Sequence, residues 1–119
     1  MLGFKIDTET HKAWPIRVEG AEDYAREIGC PVDGVRTVFL SIDGHEYAFV
    51  CRDAKYVHDG MMASVIDKKN KGVIIGTCIV FSTSGGKMRD LNVDECNQIY
   101  DAMYLISDGT TETEAVMVD

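Results

Sequence analysis

The stretch Ser82-Thr83-Ser84-Gly85-Gly86-Lys87-Met88-Arg89 gathers hydroxyls, two glycines and two cations behind an apolar run, the ingredients of a phosphate cradle. In such a cradle, backbone N–H groups and a lysine surround an anion at a helix N-terminus. The standard spacing is missing. A P-loop lysine is followed by Ser or Thr and leads straight into a helix, whereas Lys87 precedes Met88 and the next helical pattern starts near Val93. Ser84, Gly85, Gly86, Lys87 and Arg89 therefore stand as the candidate binding residues, set against the plainer reading of a flexible glycine-rich connection. A second basic cluster, Lys68, Lys69 and Lys71, lies at the other end of the intervening strand, roughly 30 Å away at the usual rise per residue. One shared anion patch does not follow.

Cys51, Asp53 and His58 could supply a thiol, a base and an orienting group. The strand register derived below puts Cys51 on the face of Tyr47 and Phe49, where an apolar setting raises a thiol pKa and makes it inert. Nothing brings His58 within hydrogen-bond reach of it. No catalytic residue is assigned. His45 reads as an exposed turn residue, His11 lies in a polar turn, and no two histidines stand at metal-ligand spacing. The four cysteines, Cys30, Cys51, Cys78 and Cys96, contain no C-x-x-C pair and read as free structural thiols. Neither a metal nor a cofactor is implied.

The net charge of −8 is concentrated in one place. Asp90, Asp94, Glu95, Asp101, Asp108, Glu112, Glu114 and Asp119 follow one another with no Lys or Arg among them. That balance opposes direct nucleic-acid binding, which draws its affinity from Lys and Arg on phosphates. The seven-residue recurrence of Asp94, Asp101 and Asp108 also allows an acidic imitation of DNA, although three carboxylates are sparse beside a duplex charge every 1.7 Å or so. A chain of 119 residues fits one domain, with 109–119 as an edge strand or tail. The first residues carry no basic region followed by an apolar run, and the longest uncharged stretch is too short to span a membrane. A cytoplasmic protein is expected.

The elements that must position these groups are organised around Val73 to Thr83, read as a central strand. Val73, Ile75, Thr77, Ile79 and Phe81 form a strongly apolar face, and Ile74, Gly76, Cys78, Val80 and Ser82 a weaker one. Upstream, Phe4 to Asp7 and Ala13 to Val18 are short strands, the second placed at a sheet edge by Pro15, which cannot donate a ladder bond. Ala21, Tyr24, Ala25 and Ile28 recur at helical spacing and Gly29 ends that helix. Asp43-Gly44 between alternating apolar runs reads as a two-residue type I′ hairpin. Its register follows: Ile42 faces His45, Leu40 faces Tyr47, Val38 faces Phe49 and Arg36 faces Cys51. Val38, Leu40, Tyr47 and Phe49 are expected beneath the helices, sharing a buried face with Ile75, Ile79 and Phe81.

Asp53 to Lys71 is weakly patterned, with Val57, Met61, Met62, Val65 and Ile66 compatible with a helical turn or two. Asn92 followed by Glu95 is a capping box, Leu91 can staple against Cys96, and Val93, Cys96, Ile99, Tyr100 and Met103 make a helical stripe that Ser107-Asp108-Gly109 stops. Phe39, Ala48, Val50, Ile74 and Val80 lack an obvious cover, which suggests a homo-oligomer.

The Arg26-Glu27-Ile28-Gly29 helix end, the hairpin Val35 to Arg52, the Ile75-Gly76-Thr77 strand and Leu91 before Asp94-Glu95 occur here in one order. Over Ile16 to Ile106 the chain resembles a family of small bacterial proteins of unknown function, typical of phages, plasmids and conjugative elements. It departs from that family at Tyr56-Val57-His58-Asp59-Gly60, where a Leu/Pro-Asn element is common. The resemblance carries no catalytic residue and implies an accessory protein of a mobile element. The expectation is thus an α+β domain, a mainly antiparallel sheet of four to six strands with two main helices on one face. Its function is expected to be non-enzymatic binding or regulation, with a host or element-encoded protein as partner. The alternatives are an acidic DNA mimic and an enzyme whose site the sequence does not reveal.

Overall fold

A computed structural model describes residues 1–119. It is an α+β fold of two helices and two sheets. The larger sheet has six antiparallel strands: β1 (Leu2–Asp7), β2 (Lys12–Arg17), β3 (Val35–Ile42), β4 (His45–Arg52), β7 (Cys78–Ser84) and β8 (Lys87–Arg89). The path runs β2-β1-β7-β4-β3, with β8 beside the far end of β7. The smaller sheet is mixed, in the order β6 (Gly72–Ile75), β5 (Ala63–Ile66), β10 (Glu112–Met117), β9 (Met103–Ser107). β2 lies at an edge with Pro15 opposite Phe4, where its missing N–H costs no ladder bond.

The hairpin has the derived register, Ile42 to His45 through Arg36 to Cys51. Asp43 and Gly44 have φ of 49° and 82°, the double left-handed pair that a type I′ turn demands. The Asp119 carboxylate accepts both turn amides, Asp43 N–H and Gly44 N–H, at 2.8 Å each. Helix α1 spans Ala21–Ile28 and ends in Gly29 at φ 88°.

The run from Val73 to Thr83 is not one strand. Gly76, at φ 88°, turns the chain between β6 of the small sheet and β7 of the large one. The alternation nevertheless survives the break, because Ile74, Cys78 and Val80 all enter the main core while Ile79 and Phe81 enter a second one. The weaker face is the one that meets the larger core. Phe49 pairs with Val80 and Ala48 with Phe81, so Ile79 and Phe81 lie on the opposite face from Tyr47 and Phe49, contrary to expectation.

Three layers result. The small sheet, through Val65, Ile74, Val116 and Val118, and helix α2 (Val93–Asp101), through Ile99, cover the Phe4, Ile6, Tyr47 and Phe49 face. Helix α1 covers the other face with Ile28 and Tyr24 over Val50, Ile79 and Phe81. The helices therefore take opposite faces of the large sheet. The single face expected for both is already occupied by the small sheet, which the sequence did not announce. Of the five apolar residues singled out as uncovered, Ala48, Val50, Ile74 and Val80 are buried within the chain, and Phe39 alone is left exposed.

Three further expectations change. Residues 63–66 form β5 where a helical turn was expected, preceded only by a short 3-10 turn at Ala54–Tyr56. Helix α2 stops at Asp101, and the residues up to Ser107 form β9, so Ser107-Asp108-Gly109 belongs to the β9–β10 turn. β10 is an interior strand, parallel to β5 and antiparallel to β9, not an edge or tail.

Candidate functional site

Ser84, Gly85, Gly86 and Lys87 form the exposed tip of the β7–β8 hairpin. Gly85 and Gly86 have φ of 59° and 80°, again the double left-handed turn, and Ser84 pairs with Lys87. The connection is thus a tight two-glycine turn between paired strands. Arg89 is drawn away from the other four, because its guanidinium meets Glu95 in a two-point contact, Nη1 to Oε1 at 3.2 Å and Nη2 to Oε2 at 3.3 Å. Lys68, Lys69 and Lys71 sit on the β5–β6 turn of the other sheet.

Glu95 is the centre of the first polar constellation that folding creates. It is only 5% exposed although it occupies the first turn of α2. The capping box holds it from its own helix: Asn92 N–H donates to Oε1 at 3.0 Å, and Glu95 N–H donates to Asn92 Oδ1 at 2.8 Å. From the sheet, His45 Nε2 reaches Oε2 at 2.7 Å and the Ser82 hydroxyl donates to the same oxygen. Burial pushes the carboxyl pKa up, but the Ser82, His45 and Asn92 hydrogen bonds and the Arg89 charge outweigh it and hold the group below its ordinary range. Beside it Tyr47 OH donates to Gln98 Oε1, and Gln98 Nε2 donates to the Ile42 carbonyl at 3.1 Å. Burial, then the Glu95 charge, push the Tyr47 hydroxyl up to about 12. His45, Arg89, Asp94 and Gln98 border an open depression of about 380 Å³ there.

The second constellation lies at the other end of β4, about 23 Å away at the strand rise. Arg52, the last residue of β4, lines a cavity of about 420 Å³ together with Thr8, His11, His58 and Met61. Parity along β4 was the available signal, since it places Arg52 with Ala48 and Val50 on the α1 face, where it is buried. Its Nη2 donates to the Ile28 carbonyl at 2.5 Å and its Nη1 to the Tyr56 carbonyl at 3.3 Å. Glu95 was legible as a cap, but its contacts with His45 and Ser82 join residues 50 and 13 positions apart.

Cys51, Asp53 and His58 do not assemble. Cys51 is buried and burial pushes its thiol up; Asp53 accepts from Lys55 N–H at 3.1 Å to start the 3-10 turn; His58 is exposed on the cavity rim. The line of acids is also broken. Asp94 and Asp101 share α2, whereas the Asp108 carboxylate accepts from the Thr110 and Thr111 amides in the β9–β10 turn. No helix is long and apolar enough to cross a membrane. No family model, no curated protein and no solved structure matches the chain.

Proposed function

We propose that the protein is a non-enzymatic binding or regulatory protein, and that it serves a mobile genetic element as an accessory factor acting on a host or element-encoded partner. The observation that carries the first part is the saturation of Glu95. Where a carboxylate, an imidazole and a hydroxyl converge, the hydroxyl of Ser82 donates to Glu95, and Glu95 takes up His45, Arg89 and the Asn92 amide as well. A nucleophile needs a base that accepts its proton, and a base needs a free lone pair at a vacant reaction site. Here the base is kept ionised by four donors that tie α2 to β4, β7 and β8, which is the work of a clamp. The mobile-element setting rests on the resemblance across Ile16 to Ile106.

The discriminating experiment incubates the purified chain with a small-molecule extract of a bacterial cytoplasm and follows metabolites by mass spectrometry. A binding protein depletes at most a stoichiometric amount of any compound. Conversion of one compound far beyond the protein concentration, lost in Glu95→Gln, would overturn the reading.

A further inference from the structure

Two cations are buried in this chain, and the fold treats them differently. Lys5, 8% exposed, has Glu27 at 3.0 Å and Asp7 at 3.5 Å. Arg52, 7% exposed, has no carboxylate within 4.0 Å. The carbonyl-bearing end of α1 offsets part of its charge through Ile28, as helix C-termini do. Of its five N–H donors two find carbonyls, and the buried Nε–H has no partner. A buried charge in this state is costly unless something compensates it. Gly76, held at φ 88°, packs directly against the guanidinium stem: a Cβ there would lie 3.0 Å from Nε.

The cavity over Arg52 supplies the rest of a site. His11, in the left-handed region at φ 65°, brings a buried Nδ1 that likewise lacks a partner. Met61 and Met62 add an adaptable apolar wall. Glu9, Asp59 and Asp108, all exposed, line the same cavity. The volume of about 420 Å³ suits a small molecule, for which roughly 300–1,000 Å³ is usual. A planar carboxylate is the natural partner of a guanidinium fork. A polyphosphate or a dianion would meet three like charges at the rim, whereas an ammonium group would meet three opposite ones.

We propose that this cavity binds a small zwitterionic carboxylate of the amino-acid class, its carboxylate directed to Arg52 and His11 and its ammonium to Glu9, Asp59 and Asp108. The assignment rests on the binding reading above and gives it a ligand class. The site joins the β1–β2 turn, the end of β4, the 58–62 loop and the β9–β10 turn, so an occupant would link the two sheets.

Titration calorimetry on the full chain tests it, with L-amino acids of apolar, polar, acidic and basic side chains as probes and acetate, inorganic phosphate and ethylamine as controls. At least one amino acid should bind, and at least about tenfold more tightly than acetate or ethylamine, because each control satisfies only one end of the site. Arg52→Lys, which keeps the charge and loses the fork, should weaken binding about tenfold or more. Should that variant fail to fold, the exposed double variant Glu9→Gln with Asp59→Asn should weaken amino-acid binding while leaving acetate unchanged or improved. Absence of amino-acid binding up to about 10 mM, phosphate binding more tightly than any amino acid, or affinity untouched by the rim variant would each overturn the assignment. Those outcomes leave the non-enzymatic reading standing, which only turnover beyond stoichiometry removes.

Discussion

Replacing Glu95 by Gln keeps the volume of the side chain and removes the charge on which four donors converge. If the amide oxygen takes the Oε1 position, the Asn92 amide keeps its acceptor and the capping box survives, since Gln also serves at that position. The NH₂ group then faces Ser82, His45 and Arg89, three donors where an acceptor had been. Ser82 can rotate its hydroxyl and His45 can present its other tautomer. Arg89 cannot accept; its Nη1 keeps the oxygen at the Oε1 position, while Nη2 turns to water, the side chain being 42% exposed. Losing hydrogen bonds to a charged acceptor costs about 1.5–3 kcal/mol each, and the half-exposed Arg89 pair contributes well under 1 kcal/mol. Partial rearrangement brings the net destabilisation to about 2 kcal/mol, or near 8 °C in Tm for a chain of this size. Urea unfolding of both proteins measures it. The pH dependence adds a second, independent reading. Because the folded-state pKa of Glu95 is depressed, its contribution is fully present above the ordinary carboxyl value of 4.5 and is lost as pH falls through the lower folded value. The gap between wild type and Glu95→Gln should therefore be widest near neutrality and close in acid. A gap under about 0.5 kcal/mol at neutral pH, or one that stays constant into acid, would refute the clamp.

Three other outcomes follow from the geometry. Phe81→Ala should cost about 3–5 kcal/mol, as for a fully buried ring, while Phe39→Ala on the same sheet face should cost under about 1 kcal/mol; equal values by urea unfolding would show that α1 does not cover that face. Gly76→Ala should destabilise by about 2 kcal/mol, since it combines a positive φ with a Cβ pressed against Arg52, and a neutral result in the same assay would contradict the chain reversal there. Burial pushes the Cys78 thiol up to about 12, so iodoacetamide on the native protein should label the half-exposed Cys30 and Cys96 first; early labelling of Cys78 by peptide mass spectrometry would mean that the core between the sheets opens readily.

What the sequence determined by itself is what short-range geometry decides. Asp43-Gly44 admits one turn type, and that turn sets the pairing of β3 with β4 residue by residue. The α1 spacing, its Gly29 stop, the Asn92–Glu95 cap and the edge position of Pro15 are likewise matters of hydrogen bonds within a few residues. Tertiary structure decided whatever depends on which distant segment is opposite. The offset between β4 and β7 puts Val80 beside Phe49, and no turn joins those strands to announce it. Gly76 reads as one more residue of an apolar strand until its positive φ sends the two halves to different sheets. Met103 continues the spacing of α2, yet Met103 to Ser107 pair with β10 because the small sheet needs a strand there, and strand formation is governed by neighbours more than by propensity. Both polar constellations belong to this second kind. Glu95 gains His45 and Ser82, and Arg52 gains its cavity, only when the ends of β4 meet α2 on one side and the turns of both sheets on the other.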